Sequence, residues 1–402
     1  MKNFLQKLTG SDSKAVALRF VLMFGVISLF ADLTYEGSRS MVGPYLAQLG
    51  ASGTAVGIIA GLGELLGYGL RLVSGRVAEK TQAFWPITLF GYAIQMISVP
   101  LLALAGSWQV AALLIVAERA GRATRNPPRD VMLSHAGKVI GFGWAFGLNE
   151  ALDQTGAMIG PLSVAAVLAA HGQYKMAFAM LLIPALITLT LLAASRLVYP
   201  RPEDMETDTP NLDTGNLPRI FWIYLAGAAL VAAGFPDFSM MSYHFGKMDI
   251  VSATWIPVFY ALAMGSSGLG SLVFGRLFDR KGLVILIPLT VVTTLFAPLA
   301  FLGGFWAVLA GCALWGLGMG VHESIVAAAV SPMVPPQRRA SAYGIFSAAY
   351  GISWFVGSAV IGFLYDHSVP ALIAFSVVAE LAAIPFFLVV ARKGTEHRKR
   401  EG

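Results

Sequence analysis

The string LVSGRVAEK at residues 72–80 returns as LVFGRLFDRKG from residue 272, 200 positions later. Leu72, Val73, Gly75 and Arg76 reappear as Leu272, Val273, Gly275 and Arg276, and Glu79 and Lys80 are answered in charge by Asp279 and Arg280. Each copy closes a long apolar run and opens a short basic segment, so the chain reads as two homologous halves. The flanking runs confine the fold. Crossing a hydrocarbon core of about 30 Å takes roughly 20 apolar residues in a helix, and in lipid only helices or closed barrels keep the backbone bonded. With 56% hydrophobic and 12% charged residues, against about 25% charged in soluble domains, the expectation is an all-α polytopic membrane protein in a lipid bilayer.

The apolar runs place twelve spans, in two sets of six. The first set covers 16–47, 53–75, 86–105, 108–126, 138–169 and 174–195; the second covers 219–244, 251–275, 283–303, 305–331, 338–365 and 369–391. The stretch from Arg196 to Arg219 is rich in Pro, Asp, Glu and Thr and reads as a solvated linker. The domains expected are therefore an N-terminal six-helix bundle (1–195), a cytoplasmic linker (196–218) and a C-terminal bundle with a basic tail (219–402). The N-terminal MKNFLQKLTGSDSK is basic, but no small-residue cleavage site follows the first run, which is read as a retained helix.

Lys and Arg set the orientation. With the N-terminus inside, 24 of the 28 fall on the cytoplasmic side, Arg122, Arg125, Arg129 and Arg338 among them. Arg39, Lys175 and Lys247 fall outside, and Arg119 lies within span 4. This bias puts both termini in the cytoplasm of a cell whose plasma (inner) membrane holds the chain. The net charge of +6 sits in short clusters between apolar runs, with no continuous basic face carrying aromatics, so no nucleic acid is expected. The single cysteine, Cys312, excludes a disulfide framework and a cysteine metal site.

Ionisable groups inside a bilayer cost roughly 2.5–3.5 kcal/mol on insertion scales and mark function. Span 1 carries Asp32, Glu36 and Arg39. At 100° per residue Glu36 lies about 40° from Asp32 and Arg39 about 20° on the other side, so the three share one stripe. Span 4 adds Arg119, span 7 Asp237 and His244, and span 10 His322 and Glu323. A carboxyl at Asp32, out of water, can take up and release a proton; a fixed ion pair with Arg39 is the structural alternative. Arg119 either couples to that carboxyl or pairs with Glu118. Glu64 on span 2 and Glu150 and Asp153 on span 5 form a second relay or satisfy Arg71, Arg119 or Asn149. His322 beside Glu323 lacks the spacing of a metal site. Acids exceed bases in this set, which suits a cationic or zwitterionic amphiphile, with Tyr35, Phe235, Phe238 and Tyr243 offering aromatic faces.

The two-times-six plan, the repeated segment and the glycines of span 5 together resemble the major facilitator superfamily. Gly275 to Gly282 fits that family's G-x-x-x-D-R-x-G signature, while the first copy has Glu79 for the Asp and Gln82 for the closing Gly. Pro127-Pro128-Arg129 after span 4 and Pro335-Pro336-Gln337-Arg338 after span 10 echo each other. The resemblance implies a cytoplasmic gate made by Gly75, Arg76, Glu79, Lys80, Gly275, Arg276, Asp279, Arg280 and Gly282. In such a gate a carboxylate bonds to a neighbouring helix N-terminus and to arginines. Gly147, Gly156, Gly160 and Pro161 resemble the family's antiporter signature, with Val164 and Ala165 replacing its final Gly pair. The resemblance assigns this strip to the interface between halves and to exporters. It further implies that spans 1, 4, 7 and 10 line a central cavity, and each carries ionisable groups. Arg119 departs from the family's pattern, because Gly121 follows it by two positions rather than four.

These readings favour a secondary active transporter for a small-molecule substrate, proton-coupled and exporting, and expected as a monomer without a cofactor. Proton-coupled uptake and metal-ion export are the alternatives, with a non-transporting membrane receptor more remote. No Walker loop is present to drive transport by ATP. No G-x-S-x-G or H-E-x-x-H motif points to an enzyme.

Overall fold

The computed structural model describes residues 13–199, 217–322, 329–330, 333–334 and 338–401. Its first helices are α1 (Ser13–Arg39), α2 (Val42–Gln48), α3 (Gly53–Thr81), α4 (Phe84–Leu101), α5 (Trp108–Ile140) and α6 (Phe142–His171). There follow α7 (Tyr174–Met180), α8 (Leu182–Val198), α9 (Arg219–Gly234), α10 (Phe238–Lys247), α11 (Trp255–Lys281) and α12 (Leu286–Thr293). The last are α13 (Phe296–Leu302), α14 (Phe305–Val321), α15 (Arg339–His367), α16 (Val369–Ala382) and α17 (Ile384–Glu401). No strand occurs among the described residues. Ten helical stretches are long and apolar enough to cross a membrane, and α14 is a shorter apolar helix. The remaining run is α5, 33 residues long, in which arginines interrupt the apolar pattern.

Here the sequence expectation needs correction. Pro127 and Pro128 do not follow span 4; both lie inside α5, which continues to Ile140. A proline breaks a helix chiefly by freeing the carbonyl four residues back and by crowding it. For Pro127 that carbonyl belongs to Ala123, and Ser74 Oγ on α3 donates to it at 3.2 Å. The lost backbone bond is replaced by a neighbour, so the helix survives. Pro335, Pro336 and Gln337 lie outside the described residues.

The chain divides into two compact units, Met1–Arg39 with Gly69–Thr209, and Ser40–Tyr68 with Pro210–Gly402. In the first, α1 packs along α6, and the fit depends on glycine. A Cβ at Gly156 would collide with the Leu29 carbonyl, and one at Gly160 with the Leu33 carbonyl. These two glycines therefore face α1 within one unit. Gly91 and Gly121 bring α4 and α5 together in the same manner, and Phe20, Phe24, Trp85, Tyr92 and Met96 fill the core around them.

In the second unit, Gly316 and Gly320 of α14 sit against the backbone of Ala263 and Ser267 on α11. Gly357 of α15 meets Ala233 of α9. The first half of α3 belongs to this unit: Gly53, Gly57 and Gly61, one turn apart, lie against Gly362, Ser358 and Phe355 of α15. Asp366 closes that contact. Its Oδ1 accepts from Gly53 N at 2.8 Å, and its Oδ2 accepts from Thr54 N and Thr54 Oγ1, each at 2.7 Å. A carboxylate at a helix N-terminus satisfies free N–H groups and opposes the positive end of the dipole.

Candidate functional site

Arg119, Arg122 and Arg125 recur every three residues on α5, so they spread over about 120° of its surface and turn inward together. Arg125 is 1% exposed. Its Nε donates to Gln95 Oε1 at 2.6 Å and its Nη1 to the Tyr92 hydroxyl at 2.8 Å. Its Nη2 lies 3.8 Å from Asp32 Oδ1. Arg122 Nη1 is 3.9 Å from Glu36 Oε1, and its guanidinium sits 4.1 Å from the centre of the Tyr35 ring. Arg119 Nε is 3.7 Å from Glu118 Oε2, and Gln95 Nε2 donates to Glu118 Oε1 at 3.0 Å. Arg39 Nη1 donates to the Tyr35 hydroxyl at 3.4 Å.

Asp32, Glu36, Arg39 and Arg119 are thus all buried in one polar network of the first unit. Two ion partners come from residues assigned by sequence to the cytoplasmic surface: Arg125 is a core group and Arg122 is half-buried. The clue was present, since basic residues at 119, 122, 125 and 129 fall on one side of a helix that passes Pro127. Tyr92, Gln95 and Glu118 were likewise not anticipated. With the added arginines, Asp32, Glu36, Glu118 and Asp153 are matched by Arg39, Arg119, Arg122 and Arg125, and the excess of acids that suggested a cationic substrate disappears.

Charge pairing is incomplete at one place. Asp32 Oδ1 and Asp153 Oδ1 are buried with no hydrogen-bond partner among the described residues. The charge of Asp153 on α6 bears directly on Asp32. Beside them Ser28 Oγ donates to Asn149 Oδ1 at 3.2 Å. Two carboxyls with open oxygens next to a fixed guanidinium can bind a proton, or a donor group of a solute, and give it back.

Other expected residues lie elsewhere. Glu150 is exposed on α6 and accepts from Gln154 Nε2 at 2.9 Å. Glu64 is half-buried on the part of α3 in the second unit. Asp237 is buried and caps α10, accepting from Ser239 N at 2.8 Å. His322 stands among aromatics, its ring centre 4.4 Å from Phe235 and 5.8 Å from Trp354. Glu323 lies outside the described residues. The Tyr35 face is taken by arginines, and Tyr243 by Lys247, 5.2 Å from its ring centre.

The repeated motif occupies the last turns of α3 and α11 rather than loops. Gly75 packs against Pro127, and a Cβ there would sit 3.5 Å from the proline Cβ. Gly275 has open space around it. Arg76, Lys80, Arg276 and Arg280 are exposed, while the side chains of Glu79 and Asp279 lie outside the described residues. The closing position reverses the backbone in both copies: Gly282 has φ 67° and Gln82 has φ 53°. Gly147 is exposed, and Pro161 is carried within α6.

A helical chain with membrane-length apolar runs and a buried, incompletely paired ionic network in one unit has the make-up of a multi-pass membrane transporter. The comparisons name the class. The chain belongs to the major facilitator superfamily, whose family model matches residues 22–322 and 220–402. It is 42% identical over 395 residues to an uncharacterized protein of Mycobacterium tuberculosis, covering 96% of each chain. It is 25% identical over 360 residues to an uncharacterized MFS-type transporter of Methanocaldococcus jannaschii, covering 87% of this chain and 89% of that one. Its fold matches the crystal structure of the nucleoside transporter NupG with a TM-score of 0.70 at 15% identity, covering 93% of this chain and 98% of that one.

Proposed function

We propose that this transporter exports a small organic solute in exchange for protons, by alternating access at the cell membrane. In this reading it is a monomer of two six-span bundles, 1–195 and 219–402, with a cytoplasmic linker at 196–218 and both termini inside. The observation that carries the reading is the buried Asp32 carboxyl, one oxygen unbonded, 3.8 Å from Arg125. Charged, Asp32 balances a guanidinium that Gln95 and Tyr92 hold in place. Protonated, it leaves that guanidinium uncompensated in a medium where an unpaired charge is expensive. Binding of a solute and loss of the proton are thereby linked. The glycine pattern of α6 supports the exporting direction.

Everted vesicles carrying a pH gradient test this reading. Asp32→Asn keeps the volume and much of the hydrogen bonding but cannot titrate. It is expected to lose substrate-dependent proton movement and to keep binding. Unchanged proton movement at equal protein level rejects Asp32 as the proton site. Accumulation only in right-side-out vesicles identifies uptake instead.

The gate is a second arm of the same reading. Asp279→Asn is expected to slow turnover without loss of membrane insertion, and Glu79→Gln less so. Normal turnover in Asp279→Asn reduces the motif to a topology signal. Reporter fusions at Gly402 and within 204–216 should both report cytoplasm.

A further inference from the structure

Glu380 lies on α16 in the second unit, 1% exposed, within the apolar run VPALIAFSVVAELA. The elements packed against α16 are α9, α12, α13, α15 and α17. Their described ionisable side chains are Arg219 and Tyr224 on α9, Tyr343, Tyr350, Tyr365, Asp366 and His367 on α15, and Arg392 on α17. Among the described residues none of these bonds to Glu380, whose polar neighbours are the hydroxyls of Thr294 and Ser376.

The protons of those hydroxyls are largely committed elsewhere, which favours a protonated Glu380. Each hydroxyl has one proton to donate. Ser376 Oγ gives its proton to Gly234 O at 2.6 Å. Thr294 Oγ1 donates to Thr290 O at 2.6 Å and, more weakly, to Glu380 Oε2 at 3.2 Å, one proton shared between two acceptors. The carboxyl therefore has only a shared donor, and a protonated carboxyl can itself donate to the hydroxyl oxygens. Glu380 Oε1 has no hydrogen-bond partner among the described residues. A bare carboxylate here would be buried without an ion partner and with only one shared donor among the described residues, which is costly.

We propose that Glu380 is a second proton-binding site, and that its proton controls the break between α9 and α10. Gly234, whose carbonyl Ser376 holds, is the last residue of α9, and α10 begins at Phe238. When the proton leaves Glu380 the carboxylate needs donors. Ser376 and Thr294 turn their O–H groups to it, and Gly234 O and Thr290 O are released. No bond other than the O–H of Glu380 is broken, and the proton leaves to solvent. Regain of the proton restores both carbonyl contacts. Thr290 and Thr293, on the same face as this contact or one turn from it, line a cavity with His322, whose Nδ1 also lacks a partner among the described residues.

The purified full-length protein tests this without any substrate, so failure here is separate from failure of the transport reading. Infrared difference spectra between acid and alkaline buffer are expected to show a protonated carboxyl C=O band that Glu380→Gln removes. Backbone amide exchange at Phe235, Asp237 and Phe238, corrected for the intrinsic base-catalysed rate at each pH, is expected to quicken in alkaline buffer. It should lose that response in Glu380→Gln, whose amide can donate as the acid does, and in Ser376→Ala, which keeps the infrared band. A carboxyl band that is absent, or is unchanged by Glu380→Gln, overturns the site. Amide exchange that still responds to pH in Ser376→Ala overturns the link to the helix break.

Discussion

The interior of the first unit is ionic, whereas that of the second is aromatic. Between α1, α4, α5 and α6, guanidinium groups meet carboxylates, amides and phenols at 2.6 to 3.9 Å. Between α9, α14 and α15, Phe235 stacks on Trp315 at 5.9 Å and lies against His322 and Trp354. Two groups there that can carry charge, His322 and Glu380, have no ion partner among the described residues. Fixed charges demand fixed partners and hold helices in one register. Stacked rings gain most of their energy from area and tolerate small slides. The interior of the first unit is therefore held by directional ionic contacts, and that of the second by ring packing.

Three changes test the contrast. Arg125→Ala removes the centre of the ionic network and strands Asp32, Gln95 and Tyr92, so it should cost about 3–5 kcal/mol, read as a large fall in melting temperature and in folded yield. A fall under about 1 kcal/mol would show that the network is wet and loosely held. Trp315→Phe keeps the ring stack but loses the Nε1 bond to Pro236 O, 2.9 Å long. A loss of about 0.5–1.5 kcal/mol is expected, and a much larger one would place rigid polar geometry in the second unit too. The smallest effect separates the two copies of the repeat. Gln82 adopts φ 53° where its counterpart is Gly282, a conformation that disfavours side chains by about 1–2 kcal/mol. Gln82→Gly should therefore stabilise by up to about 1 kcal/mol in thermal unfolding, and a loss would mean that the Gln82 side chain holds the turn.

Much of this was written in local pattern. Apolar length gave the spans, and the 3.6-residue period put Asp32, Glu36 and Arg39 on one stripe before any coordinates. What escaped depended on partners distant in sequence. By sequence Arg122 and Arg125 count with the cytoplasmic charges because they fall at the end of span 4, and Ser74 on another helix explains why α5 continues past Pro127. Glu150 and Asp153 differ by less than a turn, yet one is exposed and the other turns toward Asp32. Glu380 is a lone acid in an apolar run. Its meaning rests on where Ser376 and Thr294 have already placed their protons.

Along Gly57 and Gly61, α3 meets α15 mainly through backbone. Gly53, Gly57 and Gly61 bring backbone against backbone, and freezing a long side chain takes up to about 2 kcal/mol of rotamer entropy where glycine takes none. Such a joint closes with little loss of configurational freedom, and its attraction is short-ranged dispersion that fades within about 1 Å of separation. Its attraction is therefore lost over a small displacement, and the bonds of Asp366 to Gly53 and Thr54 are lost with it.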